Sequence, residues 1–451
     1  MKKLYLTLLF AISLFTLCNA QWKPQGLGIL PDGYGILDLS VVDESTVWAL
    51  ASDRFNGDID TIPEIIIKST NGGVSWEVDT LDAFIDKGIL SLSAVGGEIA
   101  WLSAIDAQGN GYFYKTINGG DSWQLKHTLP GTMNNPWYPV LKFTDTARGY
   151  FLDAFSDHSG NTPDGGVTWN EYPMTSPFIS GEYYSPICPQ NWMEAKGDTL
   201  LYGTNKRIFR SVNGGMSWEV VHSFSGNYEI TSVAFDDNGF GLASADFTIP
   251  PINFLDYTVL RKSENFGKNW ELLPNADLPL SCLTQVPGQT KTFFAISGAY
   301  GWWDAQTQLS WASAYTSDGG QTWETIDRDT PYNCIGFASM NAGWVGTVGY
   351  FDYGPGKPAV FKWEGIVGST EKQALQSGIS ISPNPFTDYL YLSSERYQVE
   401  FIECFNAQGQ RMVMLNTGEL NQYDFSNFPS GIYFMQIHTG EGVVTKKVVK
   451  N

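Results

Sequence analysis

The chain has 451 residues, 43% of them hydrophobic and only 16% charged, with 47 acidic against 27 basic residues for a formal net charge of −20. That length exceeds one small core, the apolar content excludes a disordered chain, and the negative balance excludes a polyphosphate backbone or an anionic membrane surface as partner. Aromatics reach 14%, and 47 Gly and 22 Pro follow no collagen-like period, so the composition reads as many short strands joined by turns.

Residues 1–20 read as a signal peptide. Lys2 and Lys3 form a positive n-region, Leu4 to Leu17 an apolar run and Cys18-Asn19-Ala20 a small-residue cleavage site, so the mature chain is expected to begin at Gln21. Lipidation of Cys18 is the weaker alternative, because bulky Leu17 precedes it. No later apolar run reaches the roughly 18 residues of a membrane span, so no transmembrane segment is expected. Processing leaves Cys188, Cys282, Cys334 and Cys404, whose spacing matches no zinc site.

One octapeptide recurs: Ser69 to Trp76, Thr116 to Trp123, Thr162 to Trp169, Ser211 to Trp218, a degenerate Ser263 to Trp270, and Thr316 to Trp323, with Trp-to-Trp steps of 47, 46, 49, 52 and 53 residues. Each step is about the length of one four-stranded propeller blade. The Asp or Asn at its third position is expected to accept hydrogen bonds from its own turn, Gly to supply positive φ, and Trp to plug the gap between sheets. The pattern Ser/Thr-x-Asp/Asn-x-Gly-x-Ser/Thr-Trp resembles the Asp box, or BNR repeat, of sialidases, sortilin-type receptors, some endoglucanases and the photosystem II assembly-factor propellers. That resemblance implies a hairpin away from the active face, so the boxes are assigned no catalytic or metal role.

A second period counts the blades. An aromatic that ends a short Gly- or Asp-rich turn and opens an apolar strand falls at Trp48, Trp101, Tyr150, Tyr202, Phe240, Phe294 and Trp344, one more than the boxes. The seventh blade lacks a box and a closing strand, whereas Gln21-Trp22-Lys23 looks like the tail of a box with its strand. The expected fold is all-β: a seven-bladed β-propeller over residues 21–366, closed by its N-terminal strand, followed by a small Ig-like β-sandwich.

With strands A to D counted outward from the axis, the A-to-B turns and the boxes share one plain face. Long loops crowd the other, and long loops on a rigid scaffold are where binding resides. They carry Trp137 and Tyr138; Tyr183, Tyr184 and Trp192; Phe254 and Tyr257; Trp302, Trp303 and Asp304; and Tyr350, Phe351 and Tyr353. Exposed Trp and Tyr interleaved with acids and amides suit sugars or the side chains of a protein ligand, and packing of the loops on one another is the competing reading.

Glycoside hydrolysis would need two carboxylates about 5 to 9.5 Å apart, drawn from Asp58 or Asp60, Asp106, Asp157, Asp256, Asp304 and Asp352. Sialidases also carry an arginine triad and an Arg-Ile-Pro segment near the start of the propeller. Here Arg207-Ile208-Phe209 falls in blade four, Arg210 and Arg261 precede boxes, and Arg148 sits on the plain face, so sialidase activity is not expected. The four His, His127, His158, His222 and His438, lack metal spacing, and Asp58-Ile59-Asp60 alone is a weak calcium signal. Cys282 and Cys334 begin A strands of neighbouring blades; a bridge fits those places, and burial as small apolar residues is favoured over it.

Residues 367–378 form a Ser-, Gln- and Gly-containing linker. Beyond it come Pro383-Asn384-Pro385-Phe386, alternating strands, a turn at Gly409, Ser430-Gly431-Ile432-Tyr433 and closing Lys446-Lys447-Val448-Val449-Lys450. Residues 379–451 resemble the type A C-terminal sorting domain of the Bacteroidota type IX secretion system, which implies export by that machinery and then removal of the tail. The sequence therefore reads as a secreted or cell-surface, non-enzymatic propeller that binds a carbohydrate or protein ligand through its loop face. It needs no cofactor or metal and takes no nucleic acid, with a glycoside hydrolase as the alternative.

Overall fold

A computed structural model describes residues 22–53, 63–153, 158–183, 193–224, 228–247, 258–274, 276, 278–297, 311–328, 330–347, 360–365, 378–394, 397–406, 411–416, 422–439 and 442–451. The expected signal peptide lies outside them. Contacts divide the chain into a unit spanning Gln21–Gly365 and a C-terminal unit from Ile366 to Asn451.

The first unit contains seven four-stranded antiparallel sheets, each written from its innermost strand outward. Sheet I is Gly35–Val41, Val47–Ser52, Ile65–Ser69 and Glu77–Thr80; sheet II is Lys87–Ala94, Ala100–Asp106, Gly111–Thr116 and Gln124–Leu129. Sheet III is Pro139–Phe143, Gly149–Asp153, His158–Thr162 and Asn170–Pro173; sheet IV is Met193–Lys196, Thr199–Gly203, Arg207–Ser211 and Glu219–Ser223. Sheet V is Tyr228–Phe235, Gly241–Phe247, Val259–Ser263 and a two-residue Glu271–Leu272, and sheet VI is Cys282–Gln285, Phe293–Ile296, Ser313–Thr316 and Glu324–Asp327. Sheet VII is Tyr332–Ser339, Ala342–Thr347 and Val360–Trp363, with Trp22–Gln25 as its fourth strand.

Each octapeptide closes the third strand of a sheet onto the fourth. Its first hydroxyl accepts the fifth-position N–H, as in Gly73 to Ser69 Oγ at 2.8 Å, and its third-position Oδ1 accepts the seventh-position N–H, as in Thr168 to Asp164 at 2.8 Å. The third-position side chain is thus occupied by its own turn, the Asx geometry such residues favour. The fourth position sits at positive φ in every copy, and where Phe266 replaces Gly it still adopts φ 52°, a conformation that costs a side chain on the order of 1 kcal/mol. The Trp then inserts between its own sheet and the preceding one. Trp169 packs with Trp101 and Phe113 of sheet II, and Trp323 with Phe240 and Leu242 of sheet V.

A repeated latch joins neighbouring sheets at this end. The residue before each octapeptide donates to the fourth-position carbonyl of the next: Lys68 Nζ to Gly119 O at 2.9 Å, Lys115 Nζ to Gly165 O at 3.0 Å, Asn161 Nδ2 to Gly214 O at 2.8 Å and Arg210 Nε to Phe266 O at 2.7 Å. Lys362 Nζ to Gly72 O at 2.7 Å carries the latch from sheet VII to sheet I. Lys68, Lys115 and Lys362 also lie over the rings of Trp48, Trp101 and Trp344 on the second strands. Between sheets V and VI no such bond forms among the described residues, because Lys262 turns to Glu264 and Glu271.

Ring closure rests on Trp22. It pairs in register with Trp363, is 5% exposed, and packs against Phe294, Tyr332, Phe337 and Trp363 with ring centroids 5.2 to 6.4 Å away. Its Nε1–H donates to Ser313 Oγ at 3.0 Å on the third strand of sheet VI, as octapeptide Trp218 donates to Ser159 Oγ at 3.0 Å on the third strand of sheet III. Trp22 thus fills the place of the seventh octapeptide Trp.

At the centre, the free edge of each innermost strand needs acceptors for its N–H groups. The preceding sheet supplies them: Leu92 donates to Asp38 Oδ2 at 2.7 Å, Leu141 to Ser91 Oγ at 2.9 Å, Phe143 to Ser93 Oγ at 2.8 Å and Leu283 to Ser232 Oγ at 3.1 Å. Asp38 is buried, and burial pushes its carboxyl up to about 6, against its two backbone N–H donors and the charge of Lys142. Cys334 is a buried free thiol, whereas Cys282 is disulfide-bonded to a partner outside the described residues. The Cys282 to Cys334 bridge therefore does not form. Burial as a small apolar residue describes Cys334 and not Cys282, because sheet adjacency constrained only the neighbouring blade.

The C-terminal unit is a two-sheet sandwich. Ile379–Ser382, Tyr389–Ser394 and Gln422–Asp424 form one sheet; Arg411–Asn416, Val399–Asn406, Gly431–Thr439 and Gly442–Lys450 form the other. Phe386, Leu390, Ile402, Tyr433, Met435 and Val448 lie in the core between them.

Two outcomes follow. Trp22→Ala, which leaves a large cavity, should lower unfolding stability by about 3 to 5 kcal/mol in denaturant titration, while Lys23→Ala at the exposed neighbour should be close to silent. For Asp38 the folded state holds its proton up to about pH 6 whereas the unfolded chain releases it near pH 4, so its contribution to stability falls as pH rises through that window. The stability of wild type relative to Asp38→Asn should drop by up to about 3 kcal/mol between pH 4 and 6 and stay level above it.

Candidate functional site

The fourth-position N–H of each octapeptide donates to the turn between the first two strands of its own sheet, as in Gly72 to Ser45 O at 2.8 Å and Gly319 to Lys291 O at 2.9 Å, so both sets of turns share one end of the ring. Of the long loops, residues 130–138 and 174–183 are described, and they join strand ends at the other end. Of the aromatic candidates, Trp137, Tyr138 and Tyr183 are described; Tyr184, Trp192, Phe254, Tyr257, Trp302, Trp303, Asp304, Tyr350, Phe351 and Tyr353 lie outside the described residues, as do Asp58, Asp60, Asp157, Asp256 and Asp352.

The three described aromatics divide by role. Trp137 is half-buried: its Nε1–H donates to Pro130 O at 3.0 Å, its backbone N–H to Gly109 O at 3.0 Å, and its ring stands 5.1 Å from that of His158. It packs its loop onto the ring. Tyr138 is also half-buried, with its N–H on Asp153 Oδ1 at 2.8 Å. Tyr183 is 40% exposed, and its backbone is held on both sides by Asn205, whose Oδ1 accepts at 3.0 Å and whose N–H donates at 2.9 Å.

Beneath Tyr183 lies a buried ion pair that anchors the loop between sheets III and IV. Glu182, with a fully buried side chain, accepts from Arg207 Nε at 3.0 Å to each oxygen, from Arg207 Nη2, from Thr204 Oγ1 at 2.5 Å and from Ile179 N at 2.9 Å. Burial would raise the Glu182 carboxyl, but Arg207, Thr204 and the Ile179 N–H together hold it below the usual range. Arg207 also donates to Pro177 O at 2.8 Å and lies 4.7 Å over Phe209, which stacks on Tyr202. One guanidinium therefore fixes loop, strand and aromatic core together.

Polar residues at the loop ends of the second strands root the other loops. Asp106 accepts from the N–H groups of Gln108 and Asn110, from Asn110 Nδ2 and from the Tyr112 hydroxyl at 2.6 Å. Burial opposes ionisation, yet these bonds outweigh it and bring the carboxyl down to about 2, while Tyr112 is pushed up to about 12. Asp106, offered by the sequence as a hydrolytic carboxylate, is thus a turn cap. Asp246 takes the hydroxyls of Thr258 at 2.7 Å and Ser281 at 2.5 Å, and Ser297 accepts from Ala312 N at 3.3 Å.

Sequence reasoning weighed Arg207 only as an ill-placed sialidase motif and did not single out Glu182 or Asp246. The row Asp106, Asp153, Thr204, Asp246 and Ser297 does recur at blade spacing and could have been found. The Glu182–Arg207 pair has no local signal, since its partners are 25 residues apart. Among the described residues no group of three or more His, Cys, Asp or Glu is placed to hold a metal ion, and no helix is long and apolar enough to cross a membrane.

Arg207→Ala should leave Glu182 as an uncompensated buried charge and cost about 3 to 5 kcal/mol. Arg207→Lys, which cannot engage both oxygens side-on, should fall between wild type and Ala. Amide hydrogen exchange should speed up across residues 174–183 in both variants, with the octapeptide turns unaffected.

Solved structures agree with a propeller fold. The GH74 xyloglucanase from Xanthomonas campestris superposes with a TM-score of 0.51 at 11% identity over 93% of this chain and 60% of that one, so this chain spans less than two thirds of its length. YCF48 bound to a D1 peptide aligns at a TM-score of 0.48 and 18% identity over 76% of this chain and 96% of that one, and YCF48 from Cyanidioschyzon merolae at 0.47 and 14% over 76% and 98%. No curated protein matches the chain. Residues 380–451 match the family of secretion system C-terminal sorting domains, so an all-β propeller is followed here by a sorting domain.

Proposed function

We propose that the type IX secretion machinery exports the mature chain by reading its C-terminal domain, and that the propeller then binds a carbohydrate or protein ligand through its loop face, outside the cell or on its surface. The observation that carries the reading is the mount of Tyr183: an exposed aromatic held by Asn205 on a loop that a buried Glu182–Arg207 pair fixes to the ring. A loop that only packed on its neighbours would not need so costly an anchor. A hydrolytic reading gains nothing from Asp106, whose carboxylate is committed to its own turn.

Glycan-array and protein-partner binding by the full chain tests this. Tyr183→Ala and the double variant Trp302→Ala, Trp303→Ala should each weaken binding by about tenfold or more with the thermal midpoint unchanged. Retained affinity in both variants would refute the loop-face assignment. For export, residues 379–451 fused to a periplasmic reporter should send it across the outer membrane of a type IX-competent host; retention in the periplasm sinks that part.

A further inference from the structure

Five Asn-Gly pairs fall within the described residues, and a sixth, Asn56-Gly57, lies outside them. This dipeptide is chemically labile, because Gly carries no side chain to shield its own nitrogen from the preceding amide carbonyl. The fold restrains four of the five. In the octapeptides, Asn71, Asn118 and Asn213 each accept at Oδ1 from the first-position hydroxyl and the seventh-position N–H, and each donates from Nδ2 to the seventh-position hydroxyl at 2.8 to 3.0 Å. The Gly N–H that would have to attack is bonded to the inner turn at 2.8 to 3.1 Å. Asn110 accepts from Gly131 N at 3.1 Å and donates to Asp106 Oδ2 at 2.9 Å, while Gly111 is paired between Ile105 and Leu129.

Asn238 is the exception. It is exposed on the turn between the first two strands of sheet V, its Oδ1 accepts no hydrogen bond among the described residues, and its Nδ2 makes one long bond, to Thr290 Oγ1 at 3.2 Å. The Gly239 N–H is held by Asp236 O at 3.2 Å. Asp236 Oδ1 keeps the turn in shape by accepting from Asn238 N at 2.9 Å and Phe240 N at 3.0 Å, so the reacting pair is presented with its amide carbonyl unrestrained. The same turn has a structural task. Sheets V and VI lack the octapeptide latch, and at this end their inner turns join them instead, through Lys291 N–H on Asp236 Oδ2 at 3.0 Å and Asn238 on Thr290. Gly239 O accepts from Phe266 N at 2.9 Å, and at φ 86° this Gly lies so close to the Phe266 ring that a Cβ would fall 2.5 Å from it.

We propose that Asn238 is a site of spontaneous deamidation in the folded protein, modified ahead of the other four. The Gly239 nitrogen bonds to Asn238 Cγ, the Cγ–Nδ2 bond breaks, and Nδ2 leaves as ammonia with the proton that Gly239 gives up through solvent. Water then opens the succinimide. Cleavage of its bond to Cγ returns an aspartate, which Thr290 can still meet by turning its hydroxyl to donate. Cleavage at the main-chain carbonyl gives isoaspartate, which inserts one extra carbon into the main chain before Gly239 and draws the Gly239 carbonyl off the Phe266 N–H. The isoaspartate form therefore parts the inner turn of sheet V from its octapeptide, beside a junction that lacks the latch. The rate at each site is the fraction of time its turn is open multiplied by the rate of the open pair, so the bonds that hold each amide set the order of the sites.

The test is site-resolved mass spectrometry of the full chain, incubated at mildly alkaline pH below its thermal midpoint, with aspartate and isoaspartate products separated by chromatography. In urea all these pairs should convert at similar rates. In the folded protein Asn238 should convert about threefold or more faster than Asn71, Asn110, Asn118 or Asn213, the difference that one retained hydrogen bond makes. Ser75→Ala, which removes the acceptor of Asn71 Nδ2, should speed conversion at Asn71 by a similar factor and leave Asn238 unchanged. Folded chains with isoaspartate at position 238 should exchange the Phe266 amide hydrogen faster than chains with aspartate there. Conversion of Asn238 no faster than that of the other four in the folded protein overturns the site. An unchanged Asn71 rate in Ser75→Ala overturns the control of rate by these bonds, and equal Phe266 exchange in the two products overturns the parting of turn and octapeptide.

Discussion

One peptide group, at the fourth position of the octapeptide, carries the ring. Its N–H is tied to the inner turn of its own sheet, and in five of the six copies its carbonyl accepts from the basic or amide side chain of the sheet before, so those copies fix a sheet internally and against its neighbour at once. The positive φ at that position aims the two groups in these directions, which is why Gly dominates there and why Phe266 must adopt a conformation unfavourable to a side chain. Without these bonds the sheets would still bury apolar faces on one another, but at this end of the ring their pitch would lose its main directional contact.

The latch acts at the periphery and is complemented at the axis, where the free inner edges of sheets II, III and VI donate to side chains of the preceding sheet. Ser supplies most of these acceptors, and Asp38 supplies one while also accepting from Leu39 on its own strand, at the expense of holding a carboxyl where burial favours its neutral form. Together the two systems make the scaffold stiff without a dense set of disulfides. A stiff scaffold is what lets long loops carry recognition residues without a large ordering cost on binding.

The scaffold was legible in sequence to the extent that its interactions are local. The octapeptide, its own-turn hydrogen bonds and the Trp periodicity all lie within a few residues, and Gln21-Trp22-Lys23 pointed to the fourth strand of sheet VII because it resembles the end of the same motif. The site was less legible because its interactions are not local. Glu182 meets Arg207 across 25 residues, and the Cys282 disulfide joins a residue that strand adjacency did not indicate. Asp106 shows the reverse error: an acid on the correct face, whose four donors all come from the next six residues, could have been read as a cap from Gln108-Gly109-Asn110.

Apart from sheet VII, whose fourth strand comes from the N-terminus, departures from the repeat gather at sheet V. Sheet V has the degenerate octapeptide with Phe266 and a two-residue outer strand, and the latch from V to VI is replaced by Lys262 contacts to Glu264 and Glu271. A ring of near-equivalent sheets gains stability from uniformity, so a sector that departs from the pattern in several independent ways bears a cost the others avoid. The neighbouring loop, in contrast, is the one fixed by the Glu182–Arg207 pair. Sheet V is thus weakened in its repeat contacts, whereas the loop that enters sheet IV is held to the ring by a buried ion pair beneath an exposed aromatic, so stiffness is distributed unevenly around the ring.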